Sequence, residues 1–176
     1  MKRIIAVLVV AVLLAVIMPA GLGCSGTPSE FEVSGNWQAV MGAKEVTWET
    51  EPLGWPGAPG PWKCYTTDAY TYEGPFEGTS VVGYSTVIQE DFSFTGEGEE
   101  TFTGKVDGKE GTLFWTFTFK DAYDICPEGS HCYTATYTII SGTGELAKLR
   151  GTFEVEAINK SHLWRGTYSG TCWFEK

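Results

Sequence analysis

Apolar and polar side chains alternate on both sides of Asp107-Gly108. In residues 109–120, Leu113, Trp115, Phe117 and Phe119 share one parity. Thr112, Thr116, Thr118 and Lys120 share the other, and Phe114 is the one apolar residue among them. A period of two belongs to a strand with one buried and one wet face. Asp-Gly between two such runs is a hairpin signal, because both turn positions need positive φ. Similar runs occupy residues 31–39, 63–73, 76–89, 131–140, 151–157 and 163–174, with a short β-leaning piece near 46–50. Residues 91–103 read as an apolar start, a charged GEGEE hairpin tip at 96–100, and a strand entering the 102–120 hairpin. Residues 145–150 read as one helical turn. Residues 53–62 hold three Pro and three Gly, a density that no β ladder survives, so they read as a loop. Gly83 marks a bend, and Gly166 and Gly170 suit a tightly curved last strand.

These segments amount to about eight strands with short connections and no amphipathic helix between them. The pattern predicts an all-β protein built as a single eight-stranded antiparallel β-barrel. A two-sheet β-sandwich is the alternative.

The N-terminus changes the picture of where the barrel works. Lys2-Arg3 precedes an unbroken apolar run over residues 4–18, and small residues lead to Cys24. Residues 1–23 therefore read as a signal peptide, too short in its apolar part for the roughly 20 residues of a spanning helix. Cys24 stands where an exported lipoprotein carries its lipid, although Gly21 and Leu22 depart from the usual order before that cysteine. The expected organisation is a signal peptide at 1–23, a tether at 24–30 and a barrel domain at 31–176. Localisation is expected in the cell envelope through a lipid on Cys24, with a secreted soluble protein as the alternative. Removing 23 of the 176 residues takes Lys2 and Arg3 with it and moves the formal charge from −10 to −12. Such acidity argues against nucleic acid and leaves the lipid as the expected membrane link.

With Cys24 set aside, four cysteines remain, and in an exported chain they read as disulfides. Three pairings are possible. The short Cys126–Cys132 loop favours a bridge at its base, which leaves Cys64 to pair with Cys172.

Three stretches together resemble a known family: FEGTSVVGY at 76–84, FTGKVDGKEGT at 102–112 and SGTGELAKLRGTF at 141–153. They are similar to an uncharacterised bacterial domain-of-unknown-function family of small barrels, grouped with allene oxide cyclases and dirigent proteins. The run Gly142 to Gly151 is the most specific part. The resemblance covers roughly residues 76–175, with 31–40 as a plausible first strand. It implies an eight-stranded antiparallel barrel and no particular activity. The 53–62 loop, the cysteines and the export signal depart from it.

Seven Trp, eight Tyr and ten Phe are a heavy aromatic load. An eight-stranded barrel is just wide enough to be filled by side chains or to hold one small ligand. Trp37, Tyr84, Trp115, Tyr137 and Trp164 are candidates to line such a lumen; the competing interpretation is plain core. Glu77, at a strand entrance, is the weak candidate for acid–base work, against an ordinary exposed turn residue. Arg150 is expected to pair with a carboxylate such as Glu145. Cys126, His131 and Cys132 lack a fourth zinc ligand, and Glu97, Glu99 and Glu100 with Asp91 lack calcium-loop spacing, so no metal is expected. Asn159-Lys160-Ser161 has the form of a glycosylation triplet, idle behind a bacterial signal. No hydrolase or nucleotide-binding motif occurs, and no cofactor is expected. The reading is a binding protein for a small apolar or aromatic ligand, or for a partner. The alternatives are a cyclase- or dirigent-like enzyme that steers a reactive intermediate, and a structural envelope protein.

Overall fold

The computed structural model describes residues 29–49, 60–122, 124, 126–128, 130–160 and 163–176. The expected signal peptide, the expected lipid site at Cys24 and most of the 53–62 loop lie outside them. Among the described residues there are nine strands: β1 (Glu30–Ala39), β2 (Glu45–Trp48), β3 (Trp62–Glu73), β4 (Phe76–Ile88), β5 (Phe94–Val106), β6 (Lys109–Asp121), β7 (His131–Gly142), β8 (Leu149–Lys160) and β9 (Leu163–Phe174). They pair in the order β1-β9-β8-β7-β6-β5-β4-β3-β2, and β1 also pairs with β3, from Asn36↔Glu73 to Ala39↔Tyr70. That pairing closes β1 and β3–β9 into the expected eight-stranded antiparallel barrel. A sandwich would leave edges that this closure removes. The extra strand β2 lies on β3 beyond the end of β1, from Glu45↔Thr67 to Trp48↔Cys64.

The central hairpin forms as its sequence dictates. Asp107 and Gly108 have φ of 49° and 77°, the paired positive values of a type I′ turn, and β5 and β6 stay in register from Val106↔Lys109 to Thr95↔Lys120. The GEGEE stretch is not a tip. It lies inside β5, with Glu97 and Glu99 outward and Gly96, Gly98 and Glu100 inward. The turn comes earlier, at 89–93, where Asp91 accepts hydrogen bonds from the Ser93 amide and hydroxyl. The inward glycines imitate a turn in sequence but serve packing. A Cβ at Gly96 would stand 2.2 Å from a Phe119 ring carbon, and one at Gly98 2.7 Å from a Phe117 ring carbon.

The two ends of the barrel differ. At the end holding the β5–β6 turn, Phe76, Phe102, Leu113, Trp115 and Phe153 fill the lumen with rings 5.3–5.9 Å apart where they meet. A 3-10 turn over Gly144–Leu146 seals this end with the fully buried Leu146. That turn is shorter than the helical turn expected over 145–150. Arg150 pairs with Glu175 at 2.8 Å rather than with Glu145, whose carboxylate accepts the Glu110 amide.

The disulfide Cys126–Cys132 forms in the β6–β7 connection. The expected Cys64–Cys172 bridge does not. Both are free, buried thiols. Cys64 lies near the start of β3, across from Thr86 at the end of β4, whereas Cys172 lies across from Phe31 at the start of β1. Those registers put them at opposite ends of the barrel, out of the reach that a disulfide requires.

Candidate ligand cavity

The other end of the lumen is not filled. There the inward positions of β3 supply Cys64, Thr66 and Tyr70, those of β4 supply Tyr84, Thr86 and Ile88, and those of β6 supply Phe117 and Phe119. Tyr133 of β7 and Trp164 of β9 complete the wall, and Lys44, Val46 and Trp48 cover it from the β2 side. Together they enclose a cavity of about 230 Å³. Its origin is local. Between Phe94 and Glu100, β5 turns only Gly96 and Gly98 inward, so it adds no bulk there.

The rings form a continuous arc. Tyr84 meets Phe119 at 5.6 Å and 90°, Phe119 meets Tyr133 at 5.7 Å, and Tyr133 meets Trp164 at 4.9 Å. Burial pushes the tyrosine hydroxyls upward: Tyr84 to about 12, Tyr70 and Tyr133 well above their ordinary value. They therefore stay neutral hydroxyls that donate and accept hydrogen bonds. Thr66 and Tyr70 hold hydroxyls near that of Tyr84 and oppose its rise.

One carboxylate borders this space. Asp68 lies on β3 between Thr66 and Tyr70, shares their inward parity, and is 4% exposed. It lines a neighbouring cavity of about 240 Å³ that shares Lys44 and Trp164 with the first. Burial raises its pKa; the Ala69 amide, which donates to it at 2.8 Å, and Lys44 pull the other way.

A second carboxylate is sealed in the core. Glu100 is 2% exposed and accepts the Tyr72 hydroxyl at 2.8 Å through Oε1, while Oε2 has no hydrogen-bond partner. Burial pushes its pKa up to about 7, against nearby polar groups of Ser80, Tyr72, Trp115 and Tyr137.

Of the residues expected to line a lumen, Tyr84 and Trp164 border the cavity. Trp37, Trp115 and Tyr137 point inward but are packed: Trp37 on Tyr70 at 4.8 Å, Trp115 on Phe102 at 5.5 Å, Tyr137 on Phe117 at 4.6 Å. Glu77 faces solvent on the outer wall, opposite Lys105. No cluster of metal-binding side chains occurs among the described residues. Sequence reasoning missed Asp68 and Glu100. Parity was the available signal: Asp68 is two residues from Tyr70, and Glu100 two from Phe102.

A family model described as a protein of unknown function (DUF3224) matches residues 62–168. No curated protein matches the chain. Among solved structures, a DUF3224 protein of unknown function from Shewanella oneidensis MR-1 is similar at 18% identity and a TM-score of 0.58, covering 84% of this chain and 100% of its own. The pterocarpan synthase dirigent proteins GePTS1 and PsPTS1 are each 16% identical, with TM-scores of 0.47 and 0.49. They cover 94% and 84% of this chain and 100% and 97% of their own.

Proposed function

The chain belongs to the DUF3224 family, and from that premise we propose that it is an exported β-barrel that binds one small, largely apolar or aromatic ligand at the open end of its lumen. The observation that carries this reading is the aromatic cavity of about 230 Å³ beside a solidly filled half-barrel. A cavity near 150 Å³ suffices for benzene, so this one suits a single substituted ring rather than a lipid chain. Buried hydroxyls of Thr66, Tyr70 and Tyr84 would orient a ligand, as a few polar groups do in apolar sites. The segment before the barrel supports export and a lipid on Cys24 as the membrane link. Labelling cells with radioactive fatty acid tests that link: the wild type takes up label and Cys24→Ala does not, and an unlabelled wild type refutes it.

Binding itself is tested by titrating the mature protein with a neutral aromatic probe such as indole, read by calorimetry. Saturable binding is expected, and Thr86→Trp, which fills the cavity from β4, should abolish it. A wild type that binds no small aromatic probe, or a Thr86→Trp variant that binds as the wild type does, overturns the reading. In an enzyme of the same shape Glu77 would not take part, because it stands on the outer wall, outside the cavity.

A further inference from the structure

The cavity is aromatic, but its border is charged. We propose that the ligand is an organic cation, an aromatic ring carrying a quaternary or fully substituted ammonium group, with Asp68 as its counter-charge and Tyr84, Tyr133 and Trp164 as its cage. This deepens the ligand-binding reading above and rests on it.

Three features on different elements converge. The first is the ring arc, whose members meet at angles from 54° to 90° rather than stacked flat. Such an arrangement turns ring faces in several directions around one space. The face of an aromatic ring is its negative pole, and Trp and Tyr hold cations best.

The second is Asp68 itself. A buried carboxylate is costly unless a charge or hydrogen bonds offset it. Asp68 accepts the Ala69 amide, and neither ion pair among the described residues involves it. On β3 it lies between Thr66 and Tyr70, which both line the ligand cavity, and it lines the adjoining cavity that shares Lys44 and Trp164 with it.

The third is the wall at that point. β1 stops pairing with β3 at Tyr70, and β2 begins at Thr67, so Asp68 lies at the gap between them. The turn that spans this gap is tied to β3 by the Val40 amide, which donates to the Ala69 carbonyl, and is closed on itself by the Ala43 amide, which donates to the Val40 carbonyl. Lys44, an exposed residue at the end of that turn, is close enough to lower the Asp68 pKa without forming an ion pair. Its flexible side chain serves as a weak resident counter-ion that an arriving cation displaces. The formal charge of −10 adds long-range attraction for a cation and repulsion for an anion.

The test uses three probes of similar size on the mature protein, with calorimetry at low salt: phenyltrimethylammonium, its neutral isostere tert-butylbenzene, and benzoate. The cation should bind at least tenfold more tightly than the isostere. Asp68→Asn should erase that preference and leave tert-butylbenzene unchanged. Because a change at a buried position can disturb folding, the exposed Lys44→Ala supplies an independent arm; since Lys44 also lines the cavity, the readout is the ratio of the two affinities, and the preference for the cation over the isostere should rise severalfold. Equal binding of cation and isostere overturns the charge assignment while the cavity reading stands, as does tighter binding of benzoate that Lys44→Ala abolishes. Failure of all three probes to bind overturns both.

Discussion

Glu100 shows what a single residue costs in this core. Its pKa of about 7 in the folded chain stands above the ordinary 4.5, and the cause is burial. Between those values the folded protein keeps a proton that the unfolded chain has released, so stability falls as pH rises through the window. The gap between 4.5 and about 7 corresponds to about 3 kcal/mol, fully felt above pH 7. Glu100→Gln preserves the shape and the acceptor for Tyr72 but cannot ionise. The variant should match the wild type near pH 4.5 and be more stable by up to about 3 kcal/mol at pH 8. Denaturant unfolding across that range checks it, and a constant difference between the two proteins at every pH would refute the assignment. Glu100 thus differs from Asp68. Both are buried, but Asp68 borders a cavity through which a counter-charge can arrive.

At the scale of elements, the barrel is tied together by contacts that cross its lumen as well as its ladders. The Tyr168 hydroxyl, on β9, accepts the Phe76 amide at 3.1 Å and donates to the Glu73 carbonyl at 3.1 Å. It thereby holds the β3–β4 turn, where Gly74 has φ of 111°. Tyr168→Phe keeps the ring and leaves the fully buried Phe76 amide without its partner. The expected loss is about 1–3 kcal/mol, seen as a lower denaturation midpoint at unchanged slope; an unchanged midpoint would show that the clamp contributes nothing. This link joins residues 92 or more apart and has no local signature. What was legible was local. Alternation marked the strands because each has one wet face, and Asp107-Gly108 marked its turn because positive φ is a chemical demand. The β5 glycines misled because glycine marks both a turn and a place where a neighbour's ring lies against a strand. The Cys64–Cys172 expectation failed for a similar reason. Pairing by elimination carries no information on which end of a barrel a residue occupies.

At the scale of the whole molecule, one closed sheet encloses two unlike halves. Trp37, Trp115 and Tyr137 could not be told from Tyr84 and Trp164 in sequence, because all five point inward. Which of them line space depends on what the opposite wall contributes, and at the cavity end that wall contributes glycine. The asymmetry predicts unequal local stability. Amides of the filled half, such as Phe102 and Leu113, sit among fully buried rings and should exchange hydrogen only through global unfolding. Amides at the open end, such as Phe94 and Phe119, lie in the same strands but border the cavity and are partly exposed. They should exchange through smaller openings of lower free energy. A ligand that fills the cavity binds the closed form and not the open one, so it should slow exchange at the open end first, while the filled half responds only through overall stability. Residue-resolved hydrogen exchange, with and without a saturating probe, measures both quantities. Uniform protection along β5 and β6 in the free protein would mean that the barrel opens as one unit, and that the cavity is as rigid a part of the fold as the packed core.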